Sequence, residues 1–200
     1  FIVGAQKAGT TSLYDSLSSH PQIYSPKSAK DVHFFSNDKL FVKGYEYLDF
    51  FYKKQKKINL HCSVNYLYFH KKTAKRIYSY NPNSKIIICL RNPIERAISS
   101  FKYFKRTLRE ENNFSTALEK EINNPDDGYV YQSNNTYISH GLYFDQISTY
   151  ENIFKKENIF YIIFEELIDV KKNKKIFKDL YNFLGVQNVN TALINKLNQS

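Results

Sequence analysis

A glycine-bearing segment near the start of the chain has the residue types of an anion-binding loop. Gly4-Ala5-Gln6-Lys7-Ala8-Gly9-Thr10-Thr11 follows the apolar run Phe1-Ile2-Val3 and precedes a stretch in which Leu13 and Leu17 are four residues apart. That order predicts a strand, a turn and a helix. Glycine lets the backbone approach a ligand closely, and a helix start offers free N–H groups and the positive end of a dipole. The segment is therefore expected to bind a phosphate-like anion, although an ordinary strand-to-helix turn is the structural alternative.

The same segment departs from the Walker A loop of nucleotide triphosphatases. A Walker A loop places Lys directly after its second Gly, followed by a Ser or Thr that holds magnesium. Here Thr10 follows the second glycine, Lys7 precedes it, and the later apolar strand ends in Leu90-Arg91 without an Asp. Both differences argue against a kinase or NTPase, so an atypical P-loop kinase is the least favoured alternative.

Arg91 stands at the end of a second apolar run, where open α/β sheets bind ligands. In the strand predicted over residues 85–90, the five residues after Lys85 form a continuous apolar run, typical of a parallel strand covered on both faces. A guanidinium directly after such a strand can bind a phosphate through two parallel hydrogen bonds. Ser99 lies two turns into the helix that Asn92-Pro93 is expected to open, on the face that returns toward the strand end.

These two segments together resemble the cofactor site of sulfotransferases that use 3′-phosphoadenosine 5′-phosphosulfate (PAPS), and the bacterial and heparan-type carbohydrate sulfotransferases are the most similar subgroup. Gln6-Lys7-Ala8-Gly9-Thr10-Thr11-Ser12-Leu13 resembles their 5′-phosphosulfate loop, and Arg91 with Ser99 resembles their 3′-phosphate site. The resemblance implies PAPS as co-substrate, no metal, and Lys7 as the catalytic cation at the leaving phosphate oxygen. The cofactor contacts that it implies are Lys7, Ala8, Gly9, Thr10, Thr11, Ser12, Arg91 and Ser99.

The catalytic base is expected in Lys30-Asp31-Val32-His33-Phe34-Phe35, which resembles the Lys-Glu-x-His-Phe-Phe element of the heparan-type subgroup. The resemblance implies Asp31 as the base, one methylene shorter than the usual Glu. His33 is the second candidate, because an unperturbed histidine pKa of about 6.5 suits proton transfer. The alternatives are that Asp31 caps a turn and that His33 packs in the core with Phe34 and Phe35.

The acceptor side is less defined in the sequence. Lys30 and Tyr143 are the expected substrate contacts, although a buried aromatic position is the safer interpretation of Tyr143. Cys62 stands where relatives often have a Lys, and it is expected either beside the cleft or in the core. Residues 126–140 combine aromatic, Asn and Ser side chains, which indicates either an acceptor-facing loop or a solvated insertion.

The order of apolar and amphipathic segments predicts an α/β fold. We expect a P-loop-like three-layer sandwich: a central parallel sheet of about five strands with helices on both faces. Strands are predicted at residues 1–3, 60–64, 85–90 and 159–164. Helices are predicted from Thr10 or Thr11, as N-cap, to residue 19, and at residues 44–57, 73–80, 93–109, 114–122, 142–154 and 176–184, with Leu142, Ile147, Tyr150 and Phe154 buried in the penultimate one and Gly185 ending the last.

Composition limits the class of protein. The 200 residues are expected to form a single sulfotransferase domain, 1–200, trimmed at both ends, since the chain contains no Met and opens inside an apparent strand. A net charge of +10 favours an anionic partner. The two cysteines form no zinc-ligand pattern, no apolar run is long enough to span a membrane, and the basic runs match no nucleic-acid module.

The sequence therefore predicts transfer of a sulfuryl group from PAPS to a hydroxyl or amine of a carbohydrate or glycolipid acceptor, with a carboxylate or His base. A catalytically silent PAPS- or anion-binding module is the alternative from another class, motivated by Asp31 and Cys62 in place of the usual residues. We expect a cytoplasmic location if the source is bacterial, and the Golgi lumen if it is eukaryotic and an N-terminal anchor is missing.

Overall fold

A parallel sheet forms the centre of the molecule. The computed structural model describes residues 1–52, 56–124 and 136–189. The strands found there are β1 (Ile2–Gly4), β2 (Ile23–Tyr24), β3 (Ile58–Asn59), β4 (Ile86–Leu90) and β5 (Ile159–Ile163). The main sheet has the order β1-β4-β5 with both pairs parallel, and β2 and β3 form a second parallel ladder.

The predicted α/β class is confirmed, but the predicted sheet of about five strands is divided. In the described residues the main sheet has three strands. Residues 60–64, predicted as a strand, pair with β1 only through an isolated bridge between Cys62 and Ile2. That single bridge links the segment after β3 to the main sheet, so the five strands lie in two ladders rather than one.

The burial of the strands follows their place in the sheet. Ile86, Ile87, Ile88 and Cys89 of β4 are completely buried, as expected for a strand between two others and covered on both faces. In β5 only Ile159 and Ile162 are buried, while Tyr161 and Ile163 are 39% and 41% exposed. This partial exposure fits the outer position of β5 in the described sheet.

Helices occupy most of the remaining described residues. They are α1 (Thr10–Ser18), α2 (Asp38–Phe41), α3 (Tyr45–Asp49), α4 (His70–Tyr80), α5 (Pro93–Arg106), α6 (Phe114–Asn123), α7 (Tyr143–Ile153), α8 (Phe164–Leu167) and α9 (Val170–Leu184). The helix predicted over residues 44–57 is wrong in extent, because α3 passes into a short 3₁₀ turn at Phe50–Tyr52. None of these helices is long and apolar enough to cross a membrane.

The helix ends agree with the sequence in two cases and differ in one. The Asn92 side chain accepts hydrogen bonds from the Ile94 and Glu95 amides at the start of α5, as its position before Pro93 predicts. Gly185, with φ of 67°, ends α9. The threonine cap predicted for α1 is wrong, because Gly9 occupies the N-cap and Thr10 is already the first helical residue.

Helices pack on the sheet in two groups. On one side the Thr73 hydroxyl of α4 is 3.0 Å from the Tyr150 hydroxyl of α7. In the other group the His20 ring, just after α1, contacts the Tyr181 ring of α9 at 5.0 Å between centroids. Leu142 was predicted to be buried, but it is 64% exposed because it precedes α7 instead of lying on its inner face.

Since β1 and β4 are parallel, the loops that leave their carboxyl ends meet at one edge of the sheet.

Candidate active site

The exit from β1 is closed in by its neighbours. The Ala5 amide donates to the Cys89 carbonyl of β4 at 2.7 Å, which ties the loop to the next strand. Gly4 has φ of 142°, and a Cβ on it would lie 2.9 Å from both the Val64 carbonyl oxygen and the Leu67 Cβ. Only glycine fits this position, so the loop begins at a fixed point against residues 64–67.

The predicted anion-binding loop turns sharply into α1. Lys7 has φ of 66° and Gly9 has φ of 80°, both in the left-handed region. A Cβ on Gly9 would lie 2.8 Å from Cδ2 of Phe164, so the loop passes close to the end of β5. Ala8 and Thr10 are buried, whereas Thr11 is exposed and Ser12 half-buried. The amides of the first helical turn lack an acceptor within the helix, as an anion site requires.

Arg91 lies directly beside this loop. Its Nη1 donates to the Lys7 carbonyl at 3.2 Å, and its guanidinium carbon is 4.6 Å from the centroid of the Phe164 ring. Its Nη2 is 3.9 Å from a Glu95 carboxylate oxygen. The side chain of Tyr143 is half-buried, and its hydroxyl donates to the Arg91 carbonyl at 3.1 Å. This hydrogen bond holds the backbone of Arg91. The buried Nε of Arg91 has no hydrogen-bond partner in the part of the chain that the structure describes.

Positive charge is concentrated at this edge. The Lys7 ammonium is 4.6 Å from the centroid of the Tyr103 ring on α5. Burial lowers the pKa of Lys7, and the charges of Arg106 and Arg91 lower it further. Three cations that oppose one another's charge in this way are stabilised by an anion placed among them.

A second link joins the loop to α5 through a residue that the sequence did not indicate. The Ser100 hydroxyl donates to Oε1 of Gln6 at 3.1 Å. Ser99, the predicted ligand, is half-buried and adjacent to it. The structure thus places Ser99 on α5, the helix that begins two residues after Arg91 and contacts the loop through Ser100.

The base candidates form a separate group. Asp31 is exposed, with φ of 56°, and its amide donates to the Cys62 carbonyl at 2.9 Å. His33 is half-buried, and its Nδ1 is hydrogen-bonded to the Ser63 hydroxyl at 2.7 Å. Burial lowers the pKa of His33, and the Asp31 charge partly opposes this. His33 is therefore neutral at pH 7 and able to accept a proton.

The alternative that His33 packs in the core together with Phe34 and Phe35 is correct for the two phenylalanines only. Phe34 and Phe35 are completely buried, whereas His33 is not part of the buried core. Cys62 is also buried, and burial raises the pKa of its thiol, so it occupies a core position.

The remaining predicted contacts lie at the rim. The Lys30 ammonium is 5.2 Å from the centroid of the Tyr14 ring and 3.7 Å from an Asp15 carboxylate oxygen, both on α1. Of the predicted acceptor loop, residues 126–135 lie outside the described residues. Its last part is less open than expected, since Thr136, Tyr137 and His140 are buried.

The two groups meet through residues 63–67. Ser63, which binds His33, donates its amide to the Ile2 carbonyl of β1, and Val64 lies against Gly4. Sequence reasoning missed the groups beneath the cations, Tyr103 and Phe164, and the orienting hydroxyl of Ser63. Phe164 directly follows β5, so its place at a strand end was the signal available for it.

The order of these features along the chain matches a known domain. The family model of the sulfotransferase domain matches residues 1–199. The chain belongs to the sulfotransferase domain family. A sulfotransferase from Alicyclobacillus acidocaldarius superposes with a TM-score of 0.79 and 32% identity, covering 98% of this chain and 88% of that one. Mouse sulfotransferase SULT7A1 complexed with PAP shares the fold at a TM-score of 0.60 and 23% identity, covering 98% of this chain and 60% of that one.

Curated sulfotransferase relatives match about half of this chain. Heparan sulfate glucosamine 3-O-sulfotransferase 5 of Mus musculus is 35% identical over 104 residues, which are 50% of this chain and 29% of that protein. The bifunctional heparan sulfate N-deacetylase/N-sulfotransferase 4 of Mus musculus is 39% identical over 111 residues, 51% of this chain and 12% of that protein. The match therefore spans less than a third of either relative.

Proposed function

We propose that this sulfotransferase domain transfers a sulfuryl group from PAPS to a hydroxyl or amine of a carbohydrate or glycolipid acceptor. One observation carries the proposal: Arg91 and the Lys7 loop lie one hydrogen bond apart, 3.2 Å, at the carboxyl ends of neighbouring parallel strands. Two adjacent anion-binding elements suit a ligand with two separate phosphate groups.

The residues present fit the donor. The unpartnered, buried Nε of Arg91 is a donor available to a phosphate oxygen. On this proposal Arg91 and Ser99 bind the 3′-phosphate, and the loop from Lys7 to Ser12 binds the 5′ side. We call the loop of residues 4–12 together with Arg91 and Ser99 the donor half. PAPS supplies a sulfuryl group carried on a phosphate.

Lys7 has the environment of a cation that stabilises developing negative charge. Its ammonium is partly removed from water and stands over an aromatic ring. A preorganised charge in such a site favours the leaving phosphate oxygen more than a solvated lysine would. Its lowered pKa also makes a proton easier to give up.

Asp31 and His33 are the two candidates for the base, and we call residues 30–33 with Ser63 the acceptor half. Asp31 is assigned as the base because its carboxylate is exposed to an incoming acceptor. His33 is the second candidate, oriented by Ser63. Lys30 stands beside Asp31 as an acceptor contact, and Tyr143 contributes by holding Arg91. The relatives at 35% and 39% identity are named for their action on heparan sulfate, which favours a glycan acceptor here.

Binding of two nucleotides tests the proposal. The domain should bind 3′-phosphoadenosine 5′-phosphate (PAP) with sub-millimolar affinity. Its affinity for adenosine 5′-phosphate (AMP), which lacks the 3′-phosphate, should be about tenfold lower or more. Arg91→Ala should remove that preference in calorimetric titrations, whereas Arg76→Ala, on α4, should retain it. Equal affinity of the unaltered domain for PAP and AMP would contradict the proposal. PAP binding without sulfate transfer to any glycan in a broad panel would favour a catalytically silent binding module. Magnesium-dependent binding of ATP would favour a kinase.

A further inference from the structure

A buried carboxylate binds the start of the segment 137–143, at residues 137–139. Glu121, on α6, accepts the Ile138 and Ser139 amides at 2.9 and 2.8 Å and the Tyr137 amide at 2.5 Å. The Ser139 hydroxyl adds a fourth bond at 2.6 Å. A carboxylate that collects three consecutive backbone amides fixes the path of that backbone, since each bond to a charged acceptor is stronger than a neutral one.

A buried guanidinium on another helix is hydrogen-bonded to the same segment. Arg96, on α5, is 0% exposed, and its Nη2 donates to the Tyr137 carbonyl. Its Nε and Nη1 have no hydrogen-bond partner among the described residues. Removing a charge from water costs folding free energy unless the charge is strongly paired. For stability alone, an apolar side chain would be more favourable than Arg96 at this position. Gly141 packs over the same helix: a Cβ on it would lie 3.1 Å from Pro93 Cβ and 3.7 Å from Arg96 Nε.

The segment 137–143 contacts residues connected to both halves of the proposed site. At its end the Tyr143 hydroxyl binds the Arg91 carbonyl. In its middle the His140 ring stacks on Tyr68, with centroids 3.9 Å apart and planes 7° apart. Tyr68 belongs to the same stretch as Ser63, which orients His33. A shift of the segment therefore moves Arg91 directly and acts on the acceptor half through Tyr68.

We propose that Arg96 and Glu121 are positioning residues that hold residues 137–143 in place so that Arg91 meets the 3′-phosphate of the donor. The inference rests on the proposed function of Arg91. Neither side chain needs to touch the ligand. Arg96 acts through Tyr137 and Gly141, and Glu121 acts through the three amides, and both effects arrive at Arg91 through Tyr143.

Discrimination between PAP and AMP is the readout that a merely structural role would not change. Arg96→Lys keeps the charge but loses the planar fork of donors. We expect it to reduce the PAP-over-AMP preference by about tenfold while AMP affinity stays within about twofold. In the double variant Arg91→Ala/Arg96→Lys the preference should be no lower than in Arg91→Ala alone, because both changes act on one contact.

Two further variants keep the test decisive. Gly141→Ala adds one methyl group against Pro93 and Arg96 without changing any charge, and it should lower the preference in the same direction if Arg96→Lys fails to fold. Arg76→Lys is the matched control, because Arg76 also donates to a backbone carbonyl, that of Phe35, and it should leave the preference unchanged. Folded Arg96→Lys and Gly141→Ala variants with unaltered preference would overturn the inference, whereas absence of any preference in the unaltered domain would instead overturn the proposed function.

Discussion

The donor half and the acceptor half of the proposed site are held by different kinds of contact. In the donor half the backbone is enclosed: Gly4 and Gly9 have no room for a Cβ, and Arg91 is bound at both its guanidinium and its carbonyl. In the acceptor half Asp31 is exposed and the His33 ring is hydrogen-bonded to the Ser63 hydroxyl. If the two halves act as proposed, donor recognition depends on backbone geometry at strand ends, whereas proton transfer depends on a few side chains near the surface.

Removal of the base should give the largest effect and should leave the donor half intact. Asp31→Asn cannot accept a proton, so turnover should fall by about 10²- to 10⁴-fold while PAP affinity stays unchanged. Transfer of labelled sulfate from PAPS to a glycan panel measures the first quantity, and calorimetric titration with PAP measures the second.

His33→Gln is the companion variant, because it separates the two base candidates. If Asp31 is the base, His33→Gln should retain most of the turnover. If the large loss appears in His33→Gln and not in Asp31→Asn, the assignment of Asp31 is wrong. The rate of the unaltered domain should then fall as the pH falls below about 6.5, since burial lowers the pKa of His33 and only its neutral form accepts a proton.

Loss of the Lys7 charge should act on the donor half and should lower turnover more than affinity. Lys7→Gln removes a partly desolvated cation next to the leaving oxygen, so turnover should fall by about 10²- to 10³-fold. PAP affinity should fall much less, because Arg91 and the loop amides remain. Lys102→Gln, which changes an exposed lysine on α5, is the control. Equal losses in affinity and turnover would assign Lys7 to binding instead of chemistry.

Local residue patterns predicted where Gly4 and Arg91 lie, because Gly4 ends β1 and Arg91 directly follows β4. The roles assigned to the residues of both halves stay predictions. The rings beneath the cations were not predicted: Tyr103 lies on α5, and although Phe164 follows a strand, no local pattern shows that its ring contacts Arg91.

Errors about secondary structure have the same origin. The threonine cap predicted for α1 was wrong because the left-handed turn that closes the loop places Gly9 at the N-cap. The burial predicted for Leu142 was wrong because the backbone enters α7 only after it. Both depend on how the segment meets its neighbours, and tertiary contacts of this kind override local propensity.

His140 lies between the two halves and should make stability depend on pH. Burial, with the charge of Arg96 nearby, lowers the pKa of His140 to about 3. The unfolded chain binds this proton near pH 6.5 and the folded chain does not, so stability is lost as the pH falls from about 6.5 toward 3. In His140→Phe, which keeps a ring against Tyr68, that slope should decrease by about 1.4 kcal/mol per pH unit. Urea unfolding between pH 4 and 7 measures it, and an unaltered slope would show that His140 is protonated in the folded state.

The ring of Phe164 should give the smallest effect and the sharpest test of how the donor half is held. Phe164→Leu keeps an apolar side chain near Gly9 but removes the π face beneath the Arg91 guanidinium, so PAP affinity should fall by about twofold to tenfold. AMP affinity should change less, because Arg91 is assigned to the 3′-phosphate. Phe164→Tyr should restore the affinity for PAP. If Phe164→Leu instead weakens PAP and AMP equally, the ring acts by packing against Gly9 and shaping the loop, and the orientation of Arg91 then depends on Tyr143 and the Lys7 carbonyl.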